Sequence, residues 1–316
     1  MNIVLLVLSL LVWPRAVQAA EAVKLTAVKF ALNWKAEPEF GGFYAAKLGG
    51  SFEKRALNVE IVEGGAGTPV VQMVANGKVP FGIAAADEVV LSQARGTDVV
   101  ALFAVYQTNP QGIMVHPERG FKSIGDVFAA PGTLAIQSGA PYTLFLQAKF
   151  ANAKVKLVPY AGGIAQFLTD ANYSQQCFVT AEPLLAKKKN KPAANFLIAD
   201  AGFNPYGTVV IARRQYIDKN PIQVRDLISA IRDGWSEYLR APESANAWMV
   251  KLNSAMDGAT MKESAEVQKP FILAANTPNK ELGRMSAERW ATLVDQLFAM
   301  KLIKKKPAVD KLYENL

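Results

Sequence analysis

Residues 99–111 read VVALFAVYQTNPQ, and positions 99–105 form an unbroken apolar run rich in β-branched side chains. A run of that length and composition predicts a strand buried on both faces, as the strands of parallel sheets are. It stops at Asn109-Pro110, where proline fixes φ and biases the preceding residue away from helix. A second Asn-Pro stands far downstream at Asn204-Pro205, and a further strand-like run, 208–212, follows it. Taken singly each is an ordinary surface turn. Taken together they read as two crossovers, at 107–111 and 203–207, bracketing an inserted α/β unit.

Working outward, strands are expected at 28–32, 59–62 and 81–85, alternating with helices. The first helix runs through Tyr44 and breaks at Gly49-Gly50. The second spans 69–76, with Thr68 as N-cap, Pro69 at the first helical position and Gly77 as C-terminal cap. Asp87 caps the third. Between the crossovers come strands at 112–115, 133–136, 155–158, 177–180 and 196–198, and helices at 142–150, 164–170 and 183–189. Beyond Pro221 only helices are expected, at 224–240, 243–252, 261–271 and 287–300. Strand–helix alternation of this kind calls for an α/β fold in which each unit is a mainly parallel sheet flanked by helices. The expected organisation is a leader at 1–20, a first lobe from 21–108 plus 207–316, and a second lobe from 109–206.

With 316 residues, 51% of them hydrophobic, the chain has material for two cores. The net charge of +8 is dispersed; the short runs at 187–189 and 304–306 read as solvated faces, and no nucleic-acid partner is expected. Residues 3–13 form a short apolar run followed by Pro14, Arg15 and a small-residue stretch, a signal-peptide pattern cleaved after Ala19 or near Ala22. The run is too short to span a bilayer. Cys177 is the sole cysteine, which excludes an internal disulfide and a cysteine-built zinc or iron–sulfur site, and it lies far from the N-terminus, so no lipid anchor is expected.

In open α/β sheets, ligands gather beyond the carboxyl ends of strands. That rule selects the loop 33–40, with Asn33, Trp34 and Glu37, and Tyr44 just after it. Aromatic rings stack on planar ligands and carboxylates accept N–H bonds, although a tryptophan there also serves simply as packing. The second loop, 63–69, offers backbone donors at Gly65, Gly67 and Thr68, or a tight turn. No Gly-Lys-Ser/Thr follows it, so it is not a P-loop. Asp87 reads as a helix cap first and a ligand contact second. From the other unit come Ser138 and Tyr142 after one strand, Tyr160 after another, and Glu182 beyond a third. His116 is the only histidine, and no Gly-x-Ser-x-Gly occurs, so no nucleophilic triad is expected. Glu37 and Glu39 could exchange protons, but their spacing specifies no reaction. No cofactor or metal is expected.

The segments LNW at 32–34, EFGGFYAA at 39–46, GGAG at 64–67, VANG at 74–77, FGI at 81–83 and TAEP at 180–183 resemble the THI5/NMT1-like branch of periplasmic binding proteins. That branch includes carriers of thiamine pyrimidine precursors and is related to alkanesulfonate and riboflavin carriers. The resemblance runs over residues 24–212. It implies a type II binding-protein fold of two lobes that close on a ligand. It also implies a monomeric partner of an ABC permease in the inner membrane, carrying a small N-heterocycle through the periplasm. Asn33, Trp34 and Tyr44 match the aromatic first loop that lines the pocket in such proteins, and Glu182 matches an acidic residue facing a pyrimidine amino group. An organic anion is the alternative ligand. Fungal pyrimidine-precursor synthases share the fold but use an internal histidine, a cysteine-rich iron-binding segment and lysine-bound pyridoxal phosphate; one cysteine and one histidine do not supply that set.

Overall fold

A computed structural model describes residues 24–273 and 278–316; the expected leader lies outside the described residues. Ten strands form two five-stranded sheets. The strands are β1 (Thr26–Ala31), β2 (Leu57–Val62), β3 (Phe81–Ala84), β4 (Val99–Tyr106), β5 (Gln111–Val115), β6 (Thr133–Ile136), β7 (Lys156–Pro159), β8 (Tyr173–Phe178), β9 (Ala194–Leu197) and β10 (Gly207–Arg213). The first sheet is ordered β2-β1-β3-β10-β4 and the second β7-β6-β8-β5-β9. Helices α1 (Gly41–Leu48), α2 (Val70–Ala75) and α3 (Ala86–Ala94) follow the early strands. The second sheet carries α4 (Ile124–Ala129), α5 (Pro141–Lys149), α6 (Ala165–Thr169) and α7 (Glu182–Lys188). The C-terminal part is α8 (Arg214–Lys219), α9 (Pro221–Arg240), α10 (Glu243–Leu252), α11 (Gly258–Val267), α12 (Lys269–Ile272) and α13 (Ala287–Ala299).

Each sheet has one strand running against the other four: β10 pairs antiparallel with β3 and β4, and β5 with β8 and β9. These are the strands that receive the chain from the crossovers. β4 ends at the carboxyl edge of the first sheet, so the chain enters the second sheet at its own carboxyl edge and must run backward as β5. β9 to β10 repeats the move in reverse. The two carboxyl edges therefore face one another across the crossovers, and the loops selected by the strand-end rule line one cleft.

Several local expectations change. β4 is an edge strand in antiparallel pairing, not an interior parallel one. Its outer edge is covered by the C-terminal segment, where Ala101 N–H donates to Leu312 O (2.9 Å), Glu314 N–H to Ala101 O (2.8 Å) and Ala104 N–H to Gly283 O (2.9 Å). An apolar edge left open would invite pairing with another chain. Thr68 does not cap α2, which starts after Pro69; its Oγ1 instead accepts the Gly65 N–H at 2.9 Å. Asp87 is inside α3 after the N-cap Ala85, and the Glu88 carboxylate takes the Ala85 N–H at 2.8 Å. The helix expected over 261–271 breaks at Gln268 into α11 and α12.

The core lies mainly in the first lobe. On one face of its sheet, Phe30, Phe43, Trp235 and Tyr238 are almost fully buried. The Phe43 and Tyr238 rings meet the Trp235 indole edge-on at centroid separations of 5.7 Å. Gly42 is required there, since a Cβ on it would sit 2.2 Å from the Trp235 ring. On the other face, Trp290 and Leu297 of α13 join a cluster that continues through Phe203 to Ile113 of the second sheet. The crossovers are stitched together: Asn109 N–H donates to Asn204 Oδ1 (2.9 Å) and Asn109 Nδ2 to Pro205 O (3.1 Å). Arg289 of α13 spans both, donating to Asn204 O (2.8 Å), to Asn204 Oδ1 (2.9 Å) and to Gln107 O.

Candidate functional site

The loop after β1 is held from beneath by residues far away in sequence. Asn253, just past α10, donates through Nδ2 to Ala36 O at 3.2 Å. Gln268 is fully buried, donates to Pro38 O (2.9 Å) and accepts from the Tyr106 hydroxyl (2.7 Å). From the side, Gly64 N–H donates to Trp34 O at 3.0 Å, and a Cβ at Gly64 would lie 2.3 Å from Leu32 O. Such a loop is fixed before any ligand arrives.

Two carboxyls of this loop, Glu37 and Glu39, share their surroundings with Glu182, the first residue of α7 in the opposite lobe. Burial, then the Glu182 charge, pushes Glu37 up to about 7 from its ordinary 4.5, against the Trp34 indole, the Asn253 amide (3.3 Å) and Lys35. Glu39 is raised well above its ordinary value, by burial and then by Glu37 and Glu182. Burial also raises Glu182, although its Oε2 accepts the Phe178 N–H (2.8 Å) and its Oε1 the Tyr160 hydroxyl (3.3 Å). Among the described residues no lysine or arginine forms an ion pair with any of the three. Like charges in a desolvated site disfavour their own ionised forms, so the arrangement favours a ligand that donates protons or carries positive charge.

A second polar pole lies at Asp87. Its side chain is 7% exposed, accepts the Glu88 N–H at 3.1 Å, and is pushed up to about 7 by burial and then by the Glu88 charge. Burial raises the Tyr142 hydroxyl from the other lobe, which also feels the Asp87 charge. Tyr142 donates to Gln176 Oε1, which also accepts the Gln137 N–H at 2.6 Å.

The expected residues thus divide. Trp34, Glu37, Tyr160 and Glu182 converge, and Asp87 meets Tyr142. Gly65 and Thr68 bond to each other, so the Gly65 N–H is already engaged. Gly67, at φ 80°, and Ser138 are exposed loop positions. Tyr44 is 2% exposed with its ring in the core, so it presents no open face for stacking; its hydroxyl and Asn33 Oδ1 are buried without partners. Sequence reasoning notes Glu39 only as a carboxylate two residues from Glu37, and for Gln176, Asn253 and Gln268 the sequence carries no signal. His116 stacks on Phe167 (4.0 Å between centroids), beyond the end of β5 that runs away from the cleft. A hollow of about 240 Å3 lined by Asn204, Ser286, Arg289 and Gln296 lies at the crossovers, apart from these carboxyls.

Comparison with known proteins follows the same lines. The family described as NMT1/THI5 like matches residues 37–245. Among curated proteins, the 4-amino-5-hydroxymethyl-2-methylpyrimidine phosphate synthase THI11 of Saccharomyces cerevisiae is 24% identical over 236 residues, 69% of this chain and 68% of the yeast protein. Among solved structures, the periplasmic aliphatic sulphonate binding protein SsuA of Escherichia coli aligns with a TM-score of 0.68 at 18% identity, covering 92% of each chain. The periplasmic nitrate-binding protein NrtA of Synechocystis PCC 6803 aligns with a TM-score of 0.68 at 13% identity, covering 92% of this chain and 86% of that one. At these identities the likeness establishes the two-lobed binding-protein fold.

Proposed function

Because this chain belongs to the NMT1/THI5-like family, we propose that it is a periplasmic solute-binding protein that captures a small N-heterocycle, a thiamine pyrimidine precursor or a similar ring, and delivers it to an ABC importer. The leader at 1–20 directs export, and the lobes divide near 108 and 207. The monomer closes on its ligand about the stitched crossovers and presents the closed surface to the permease. The observation that carries the choice of ligand is the meeting of Glu37, Glu39 and Glu182 from two lobes with no paired cation among the described residues. N–H groups of an amino-substituted ring satisfy carboxylates there, whereas a sulfonate or nitrate would add negative charge to a site that already suppresses its own. The reading as a carrier and not a synthase draws on the solved binding proteins of the same fold and on the position of His116 away from the carboxyls.

The test is a thermal-shift and tryptophan-fluorescence titration of the purified protein with 4-amino-5-hydroxymethyl-2-methylpyrimidine and with ethanesulfonate. A ligand at a hundred times its Kd stabilises the folded state by about 2.7 kcal/mol, a readily measured rise in Tm. The pyrimidine should produce that rise. A response to the sulfonate alone would overturn the assignment.

A further inference from the structure

Gln176 lies on β8 near the carboxyl edge of the second sheet, beside the end of β6. Its amide has one acceptor and one donor end, and the two look alike in shape. Here the orientation is fixed chemically. The Gln137 backbone N–H is only ever a donor and lies 2.6 Å from Oε1, and the Tyr142 hydroxyl donates to the same oxygen. With both lone pairs of the carbonyl occupied from behind, the amide cannot flip without setting donor against donor. The NH2 end is therefore turned away from the β6–α5 loop, and it has no hydrogen-bond partner among the described residues. The residue is half-buried and bonded to Tyr142, whose hydroxyl is within reach of the Asp87 charge.

Resting on the reading of the cleft as a site for an N–H-bearing heterocycle, we infer that Gln176 is a specificity-determining residue whose pinned amide donates to a hydrogen-bond acceptor of the ligand. The acidic pole at Glu37, Glu39 and Glu182 selects for N–H groups but tolerates any amine. A fixed donor at the Asp87–Tyr142 pole adds the second requirement: a ring that carries a nitrogen or carbonyl acceptor as well. Together they select a heteroaromatic amine over a carbocyclic one, because a donor that the ligand covers and leaves unpaired costs far more than a contact merely lost.

The test compares two probes of nearly the same shape by calorimetric titration: 4-amino-5-hydroxymethyl-2-methylpyrimidine and its all-carbon-ring analogue, 2-amino-4-methylbenzyl alcohol. The wild-type protein should prefer the pyrimidine by roughly tenfold or more. Gln176→Met removes both ends of the amide. Gln176→Glu keeps an acceptor for Gln137 N–H and Tyr142, so its fold is supported even if the methionine variant fails to fold, and it replaces the donor by oxygen. Measured at about pH 8.5, well above the usual carboxylate range, both variants should lose the preference while binding of the carbocycle moves by less than about threefold. A preference retained in a folded Gln176→Met variant, or wild-type binding that does not distinguish the probes, overturns the role of Gln176 and leaves the heterocycle reading standing. Wild-type protein that binds neither probe overturns both.

Discussion

The two lobes share a topology but not a composition. Every residue of β4 is buried, as are six of the seven in β10, and the two faces of their sheet are packed by fully buried aromatics, from α9 on one side and from α13 on the other. In the second lobe β7 and β9 contain no fully buried position, and the central strand β8 carries Ser174, Gln175 and Gln176 where a sheet interior would ordinarily hold valine or isoleucine. Gln175 is nonetheless 1% exposed, its amide donating to Gly163 O at 2.9 Å. The first lobe is built to be stiff and holds the Glu37–Glu39 loop on that platform. The second is thinner and polar inside, and it sets Tyr160 and Glu182 near that loop, with Gln176 near the carboxyl edge of its sheet. Burial is weighted to the first lobe, whereas the candidate site draws on both, Glu37, Glu39 and Asp87 from the first and Tyr160 and Glu182 from the second.

The strongest way to break that contrast is to cut one aromatic from each core. Trp235→Ala removes an indole enclosed by Phe43, Tyr238 and Gly42, and should cost about 3–5 kcal/mol, because α1 and α9 are already in backbone contact and cannot close the void. Gly234 shows how tight that contact is: a Cβ there would lie 2.3 Å from Gly42 O. Phe167→Ala in the second lobe empties a site on the five-residue helix α6, next to exposed Gly162 and Gly163, where the chain is free to collapse. Its cost should fall at or below the lower end of the same range, about 3 kcal/mol. Urea denaturation read by circular dichroism gives both values. Equal losses would mean that the second lobe is as rigidly packed as the first.

Much of this asymmetry is hidden from the sequence, for identifiable reasons. The apolar run of β4 and the paired Asn-Pro crossovers announce two α/β units, and the loop rule selects Trp34, Glu37, Tyr160 and Glu182, which lie near one another because chain topology gathers strand ends at one edge. The start of β8 does not announce itself, since Tyr173-Ser174-Gln175-Gln176 has no apolar period and its burial depends on hydrogen bonds made in three dimensions. Asn253 and Gln268 reach the first loop from more than two hundred residues away, which no local pattern encodes. Thr68 obeys the composition rule for a cap but gives its oxygen to Gly65. Tyr44 lies close to the loop in sequence, yet the helical turn from Gly41 points its ring into the core.

Proton linkage sharpens the contrast because the carboxyls at about 7, Glu37 in the loop after β1 and Asp87 in the first turn of α3, both belong to the first lobe. Their ordinary values are 4.5 and 3.8, so across the interval up to about 7 the folded protein holds more protons than the unfolded chain. The stabilisation this gives is complete below the ordinary values and is lost as pH rises through 7. Ligand-free protein should therefore melt at lower temperature at neutral pH than at mildly acidic pH. A ligand donating N–H bonds favours the ionised carboxylates, so its affinity should move the other way, rising about tenfold across the same interval. Calorimetric titrations of 4-amino-5-hydroxymethyl-2-methylpyrimidine at several pH values, beside melting curves of the empty protein, measure both slopes. A bound anion would reverse the affinity slope.

The smallest expected effect concerns the contact that joins the lobes outside the cleft. Lys187 and Lys188, read from the sequence as part of a solvated run, extend from the C-terminal end of α7 toward α11. Lys187 Nζ lies 2.6 Å from Glu263 Oε1, and Lys188 pairs with Asp257, the residue that caps α11. These side chains are about half exposed, so each pair should be worth about 0.2–1 kcal/mol and weaken with salt. Their position matters more than their strength, because α7 carries Glu182 at its other end and any contact that seats α7 also seats the acidic pole. Replacing both lysines by alanine should leave the urea midpoint nearly unchanged but weaken pyrimidine binding by about two- to fivefold at low ionic strength. The difference should vanish near 1 M salt, where charges are screened within about 3 Å. Lys189→Ala serves as the control, since that exposed side chain has no ion pair among the described residues. If the double substitution shifted the urea midpoint as much as the affinity, α7 would be part of the stability framework, and the weighting of stability to the first lobe would have to be redrawn.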